Sequence, residues 1–169
     1  MQQRAAKDFD KRAAKLEKKA DKLDKKGKEG GSDMRSRAAA LRGGAEAMRS
    51  DGSDGKMASM VDSAAYVAAG GTELGAAGVM PSDTNKMLVN RGNAAGFLSS
   101  TGMAKWIVGH ESLHTAGVAG HAIGPNGKPS YKWGTDPQRD AFKNVTGTPA
   151  AIMDPDHIVE QVYPGFSPD

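Results

Sequence analysis

The spacing of apolar residues in the N-terminal segment predicts a helical hairpin. Over residues 4–28, apolar side chains recur at alternating intervals of three and four, with charged residues between them, which is typical of a helix that buries one face. This predicted seam consists of Ala6, Phe9, Ala13, Leu16, Ala20 and Leu23. A glycine-rich break follows, with Ser32 or Asp33 available as a cap, and residues 34–48 repeat the pattern. Residues 1–50 are therefore predicted to form two antiparallel helices.

The pattern over residues 56–169 predicts an α+β domain. It indicates helices over 56–69 and 102–116, a strand over 86–90, and two short helices that begin with Asp-Pro at residues 136 and 154. Glycine and polar residues are frequent in 70–85 and 91–101, and both stretches are predicted to be loops.

Composition limits the kinds of core and metal site that the chain can form. Only 38% of the 169 residues are hydrophobic and 5% are aromatic, so the core must pack small side chains closely. No apolar run approaches the roughly 20 residues of a membrane-spanning helix, and we expect no membrane span. The chain has no cysteine, so any metal must be bound by His, Asp, Glu or backbone oxygens.

The basic charge is concentrated near the N-terminus. The net charge of +3 divides into +5 for residues 1–30 and −2 for the rest. Lysines alternate with acidic residues and form no basic stripe, so we expect no nucleic-acid binding. The hairpin is instead predicted to support the second domain or to dock a partner chain. The charged N-terminus lacks an apolar segment, and no Sec signal is predicted.

Three of the four histidines lie close together in the stretch WIVGHESLHTAGVAGH. His110, Glu111 and His114 form the pattern H-E-x-x-H on the predicted helix over 102–116. Positions i and i+4 share one helical face, so both imidazoles can bind one Zn²⁺ ion. Glu111 follows the first histidine directly, where its carboxylate can act as a general base.

A catalytic zinc ion usually has three protein ligands and one open position. His121 is the leading third ligand, because Gly117 and Gly120 can bend the chain back toward the helix after His114. Asp154, Asp156 and His157 stay open as alternatives.

The segment that contains these histidines resembles the metzincin signature H-E-x-x-H-x-x-G-x-x-H. Four positions match in place: His110, Glu111, His114 and Gly117. Gly120 occupies the position of the last ligand, and His121 follows one residue late. The later stretch TPAAIMDPDH resembles the metzincin Met-turn, which implies that Met153 lies beneath the metal-binding histidines.

A second resemblance leads to a different third ligand. Aspzincins also use H-E-x-x-H, and they take an aspartate ligand from a downstream G-T-x-x-D motif. The stretch WGTDPQRD is similar to that motif, although no aspartate stands three residues after Thr135. This resemblance implies Asp136 or Asp140 as the third ligand.

The zincin resemblance implies a fold and further roles for named residues. A small sheet would lie beside the active-site helix, with the strand over 86–90 as the edge that holds an extended peptide. Tyr131 would donate a hydrogen bond to the oxyanion, or else cover the core together with Trp133. Trp106 is expected to face away from the histidines and to lie in the core.

The expected function is therefore zinc-dependent hydrolysis of peptide bonds in a protein or peptide substrate. The chain is also similar in style to toxin and effector domains of bacterial polymorphic toxins, including the Rhs type. That similarity implies a carrier, delivery or immunity protein as partner, and residence in the bacterial cytoplasm before delivery by a non-Sec route. The alternatives are a non-catalytic, zinc-stabilised binding module and an adapter whose hairpin docks a partner.

Overall fold

A computed structural model describes residues 2–50, 58–73, 75–80, 83–97, 100–118 and 120–165. In this part of the chain it contains seven α-helices and a three-stranded sheet, which confirms the α+β class. The elements are α1 (Gln2–Asp24), α2 (Gly31–Ala47), β1 (Ala58–Val61), α3 (Ser63–Ala68), β2 (Ala77–Met80), β3 (Asp83–Asn90), α4 (Arg91–Phe97), α5 (Thr101–Thr115), α6 (Asp136–Val145) and α7 (Pro155–Val162), with a 3₁₀ turn at Pro149–Ala151.

The predicted helical hairpin is present as α1 and α2. The seam of α1 is buried as the three-four spacing requires, with Phe9 completely buried, although Leu23 at its end is half-buried. The predicted caps Ser32 and Asp33 lie inside α2, which begins one residue after Gly30. Gly30 has φ 93°, a left-handed conformation that glycine adopts without steric cost, and it turns the chain before either predicted cap is reached.

Three elements in and next to the sheet, β1, β2 and α4, differ from the sequence prediction. Residues 58–61 form β1 rather than the start of a helix over 56–69, and only α3 is helical in that stretch. The predicted loops contain β2 and α4. These elements are short, and pairing with β3 decides the conformation of the two strands more than their own spacing does.

The predicted strand over 86–90 is confirmed within β3, but it is not an edge. The strand order is β1-β3-β2, with β3 parallel to β1 and antiparallel to β2. Among the described residues, β1 and β2 are therefore the outer strands of the sheet.

Helix α5 lies between the hairpin and the sheet. Phe9 of α1 packs against Gly109, so closely that a Cβ at Gly109 would lie 2.8 Å from the ring. Leu113 packs against Gly44 of α2, whereas Ile107 and Val108 face Met87 of β3 across a small apolar cavity. One apolar cluster thus contains side chains of the hairpin, the sheet and α5. The predicted boundary between residues 50 and 56 falls outside the described residues, so the division into 1–50 and 56–169 stays a prediction.

Because Phe9 fills the gap against the turn of α5 that carries His110, we expect Phe9→Ala to destabilise the whole fold. Loss of a buried aromatic ring costs about 3–5 kcal/mol. Chemical denaturation followed by circular dichroism measures this free energy of unfolding, with the exposed-site change Val67→Ala as the control. A loss below about 1 kcal/mol would mean that the hairpin is independent of α5.

Candidate metal centre

A helix cap and a glycine turn define the two ends of α5. The side chain of Ser100 accepts a hydrogen bond from the Met103 backbone N–H at 3.1 Å. At the other end Gly117 adopts φ 83°, and the N–H of Val118 donates to the Leu113 carbonyl at 2.9 Å. This is a Schellman-type ending, and it returns the chain toward the helix. The predicted turn is thus confirmed at Gly117, whereas Gly120 does not need a left-handed conformation.

The turn brings His121 to the same place as the two histidines of α5. Ligand atoms of His110, His114 and His121 all lie within 4.8 Å of one another. The Nε2 atoms of His110 and His114 are 3.2 Å apart. Two nitrogens bound to a tetrahedral zinc ion at the usual bond length are about 3.3 Å apart. The three histidines are therefore close enough to bind one metal ion.

The hydrogen bonding of these histidines also fits a metal. Both ring nitrogens of His121 are buried and have no hydrogen-bond partner among the described residues. In His114, Nδ1 lies 3.2 Å from the Val118 carbonyl oxygen and donates to it, which leaves the lone pair of Nε2 for a ligand. Burial, followed by the charge of His110, lowers the pKa of His114 and lowers that of His121 to about 4. Both are neutral at pH 7, as metal binding requires.

A buried carboxylate lies behind His110. Oδ1 of Asp156 is 2.6 Å from His110 Nδ1, and its other oxygen accepts a hydrogen bond from the Lys132 backbone N–H at 2.6 Å. Burial by itself lowers the pKa of His110, but Asp156, together with the charges of Glu111 and Asp154, outweighs it and raises that pKa to about 9. A carboxylate on the far nitrogen of a histidine orients the ring and makes it a stronger ligand.

A second buried carboxylate supports His121. Oδ2 of Asp154 lies 3.7 Å from His121 Nδ1 and accepts a hydrogen bond from the Ala122 backbone N–H at 2.9 Å. Its other oxygen faces His157, whose Nε2 lies 3.0 Å from Thr146 Oγ1. Burial raises the pKa of Asp154, but the hydrogen bonds from His157 and Ala122 outweigh it and hold that pKa below the usual value.

Of the other candidate ligands, two aspartates contact the histidines and two lie exposed on α6. Asp154 and Asp156 contact the histidines from behind, and His157 is held by Asp154 and Thr146. Asp136 and Asp140 are exposed and pair with Arg139 and Lys143. Sequence reasoning missed the supporting role of the two carboxylates, because spacing does not show which nitrogen of a ring a carboxylate faces.

Glu111 connects the histidine cluster to the sheet. Its Oε2 accepts a hydrogen bond from the Val79 backbone N–H at 2.9 Å, and its Oε1 lies 3.9 Å from His110 Nε2. The backbone N–H of Asn90 donates to the Ala76 carbonyl, so by alternation the polar groups of Ala77 and Val79 point away from β3. The carboxylate therefore lies at the free edge of β2. Burial raises the pKa of Glu111, against the opposing effects of His110 and Val79.

Aromatic rings surround the cluster. The ring of Tyr131 lies against that of His121, with centroids 3.7 Å apart. Trp106 stacks on His110, with centroids 5.4 Å apart. The prediction that Trp106 faces away from the histidines is therefore wrong, because it stands four residues before His110 and shares its face of the helix. That spacing was the signal that could have identified it.

The predicted Met-turn is also wrong. Met153 is 42% exposed, whereas a methionine beneath the three histidines would be covered by them. Met153 follows the 3₁₀ turn, which directs its side chain to the surface. The neighbouring buried positions are occupied by Asp154 and Asp156.

Comparison of the chain with protein-family models, with curated proteins and with solved structures found no match. Among the described residues, no helix has both the length and the apolar character needed to cross a membrane.

Two substitutions distinguish the candidate third ligands. We expect His121→Ala to weaken zinc binding by orders of magnitude, because it removes one of three ligands. Asp136→Ala is the matched control and should bind zinc like the unaltered chain, since Asp136 is exposed. Chelator competition measures both affinities. The reverse pattern would contradict the three-histidine site.

The pKa of His110 predicts how zinc binding depends on pH. His110 must lose its proton to bind zinc, so the affinity should rise by about tenfold per pH unit until it levels off near the pKa of about 9. In Asp156→Asn the charge that raises this pKa is absent, and the rise should end at a lower pH. Chelator competition across pH 6–10 tests both curves, and identical curves would exclude Asp156 as the cause.

Proposed function

We propose that this protein is a zinc-dependent metallopeptidase with a zincin-like active site. His110, His114 and His121 are the proposed ligands, and Glu111 is the proposed general base. The observation that carries this proposal is the position of Glu111. One carboxylate oxygen is held by the Val79 N–H, and the other lies on the side of the histidine cluster. A site that served only stability would need no carboxylate held in this way.

The geometry suggests separate catalytic roles for the three histidines and for Glu111. A zinc ion bound by the three histidines would polarise a carbonyl group and lower the pKa of water. Oε2 of Glu111 is anchored by Val79, so Oε1 is available to take a proton from the attacking water and pass it to the leaving amine. Burial raises the pKa of Glu111, which suits a group that must both accept and return a proton.

The proposed substrate is an extended peptide that pairs with β2. The edge of β2 directs the backbone groups of Ala77 and the carbonyl group of Val79 toward the active-site side, whereas the N–H of Val79 is already bound by Glu111. An extended peptide can add to such an edge through main-chain hydrogen bonds. The sequence predicted that the strand over 86–90 would hold the peptide. That strand is central, so we assign the peptide-binding role to β2.

Tyr131 remains the proposed oxyanion donor that the resemblance implies, and its ring contact with His121 supports a place at the site. The apolar seam of α1 is buried against α2 and α5. We therefore do not propose that the hairpin docks a partner through this seam. A toxin or effector role, with a carrier, delivery or immunity partner, stays a prediction from resemblance.

Glu111→Gln tests the mechanism. Glutamine keeps the size of the side chain and an acceptor for Val79, so we expect the variant to retain about one zinc ion per chain. Hydrolysis should fall by at least about 10²–10⁴-fold, because the amide cannot take the proton. Elemental mass spectrometry gives the metal content, and mass spectrometry of a digested peptide library gives the cleavage rate. The exposed-site variant Glu46→Gln should be unaffected, and a fully active Glu111→Gln would exclude Glu111 as the base.

A further inference from the structure

The acidic side chains of α1 form ion pairs with residues outside that helix. Helix α1 contains five carboxylates, and each of them has such a partner. Asp8 pairs with Lys105 of α5, and its Oδ2 lies 2.9 Å from the lysine Nζ. The other four pair with three arginines of α2, and the residues involved are Asp10, Glu17, Asp21 and Asp24 with Arg35, Arg42 and Arg49. The negative charge of α1 is therefore already balanced within the fold.

The basic side chains on the outer face of α1 have no such partners. At about 100° per residue, six of them fall within an arc of about 80°, on the face opposite the buried Phe9 and Leu16. We call this row the basic stripe, and it consists of Arg4, Lys7, Lys11, Lys15, Lys18 and Lys22. All of its residues are exposed, and none forms an ion pair with another described residue.

The prediction that the lysines form no basic stripe is therefore wrong. Lysines and carboxylates alternate along the chain, but the fold separates them onto different sides of α1. The carboxylates lie on the flanks of the helix, where α2 and Lys105 neutralise them. The basic stripe keeps its full charge and presents it to solvent.

The basic stripe is long and narrow. From Arg4 to Lys22 it extends for about 27 Å, at about 1.5 Å per residue. All but one of its members are lysines, which carry a point charge on a flexible stem and lack the directional fork of arginine. On the opposite side of α1, Phe9 packs against Gly109 of α5. The basic stripe thus faces away from the helix that carries His110, and its shape suits an extended anionic surface.

The surroundings of α1 favour a flat anionic surface over a nucleic acid. The ion pairs from Asp10 to Asp24 hold α2 alongside α1. Two helices side by side are about 20 Å wide, whereas the major groove of DNA is about 12 Å wide, so α1 cannot enter it. Phe9, the one aromatic residue of α1, is buried and cannot stack on an unpaired base. A flat surface, in contrast, can contact the whole row of cations at once.

We propose that the basic stripe of α1 binds the surface of an anionic lipid bilayer. Negatively charged headgroups attract each nearby lysine or arginine, which raises the affinity by about fivefold per residue. Phe9 and Leu16 are buried and do not enter the bilayer. The binding is therefore electrostatic and reversible, and it brings the protein to a membrane without a membrane-spanning helix.

Vesicle co-sedimentation tests this proposal with the unaltered protein. We expect binding to vesicles of about one-third phosphatidylserine in phosphatidylcholine, and none to phosphatidylcholine alone, because only the first carries surface charge. Binding should be lost in about 1 M salt, where the Debye length is about 3 Å. Absence of binding to the phosphatidylserine vesicles at low salt would overturn the proposal.

A triple variant tests whether the basic stripe is the binding surface. Combining Lys11→Gln, Lys15→Gln and Lys18→Gln should weaken binding to the phosphatidylserine vesicles by about 100-fold, since each lysine contributes about fivefold. Glutamine has nearly the helix propensity of lysine, so α1 should keep its helical structure, which circular dichroism checks.

A matched control separates the basic stripe from the net charge of the protein. Combining Arg91→Gln, Lys128→Gln and Lys143→Gln removes the same charge from exposed positions outside α1. We expect this variant to bind the vesicles within about twofold of the unaltered protein. Equal losses in the two triple variants would overturn the proposal, because net charge would then explain the binding.

Two further measurements separate this inference from the proposed function and from nucleic-acid binding. Glu111→Gln and His121→Ala should bind the vesicles like the unaltered protein, since the basic stripe faces away from α5. Vesicle binding that depended on either residue would contradict the proposal, whereas absence of peptidase activity would not affect it. A mixed-sequence DNA duplex, at the same concentration of phosphate groups, should bind more weakly than the vesicles. Tighter binding to the duplex, lost in the stripe variant, would assign the basic stripe to nucleic acid and overturn the proposal.

Discussion

The close contact between Asp156 and His110 ties the last described helix to the helix that carries the histidine motif. The two atoms are 2.6 Å apart, and Asp156 is almost completely buried. An isolated buried carboxylate would cost several kcal/mol, so this position is stable only with a positive or hydrogen-bonded partner opposite it. The backbone of Lys132 supplies the other contact. This one pair therefore links α5 to α7, and Asp156 also links α7 to the backbone at Lys132, between α5 and α6.

Each of the three histidines has a neighbouring group of its own on the Nδ1 side of the ring. Asp156 faces His110, the backbone carbonyl of Val118 accepts from His114, and Asp154 lies behind His121. Contacts of this kind restrict the rings of His110 and His114 before any ligand arrives, so less conformational freedom remains to be lost on binding. The hairpin contributes from the opposite side, because Phe9 and Gly44 limit the position of α5.

The sequence predicted the parts of the fold that depend on local spacing. The seam of α1 and the motif on α5 follow from intervals of three and four residues. The left-handed turn at Gly117 follows from the residue type. The sheet did not follow, because β1 and β2 have only four residues each, and their pairing with β3 determines their structure.

The candidate site was predicted to a similar extent, for similar reasons. The histidines could be recognised because two of them share a helix and the third comes soon after a glycine turn. The contacts of Asp154 and Asp156 with the histidines join distant parts of the chain. The exposure of Met153 cannot be derived from residue types alone.

The long sequence separation between His110 and Asp156 also has a consequence for synthesis in the cell. The ribosome makes the chain from its N-terminus, so α5 is synthesised well before Asp154 and Asp156. Until those residues leave the ribosome, His110 and His121 have no carboxylates behind them. The histidine site can therefore reach its final geometry only after Asp156 has been synthesised, when almost all of the described fold is already available to surround it.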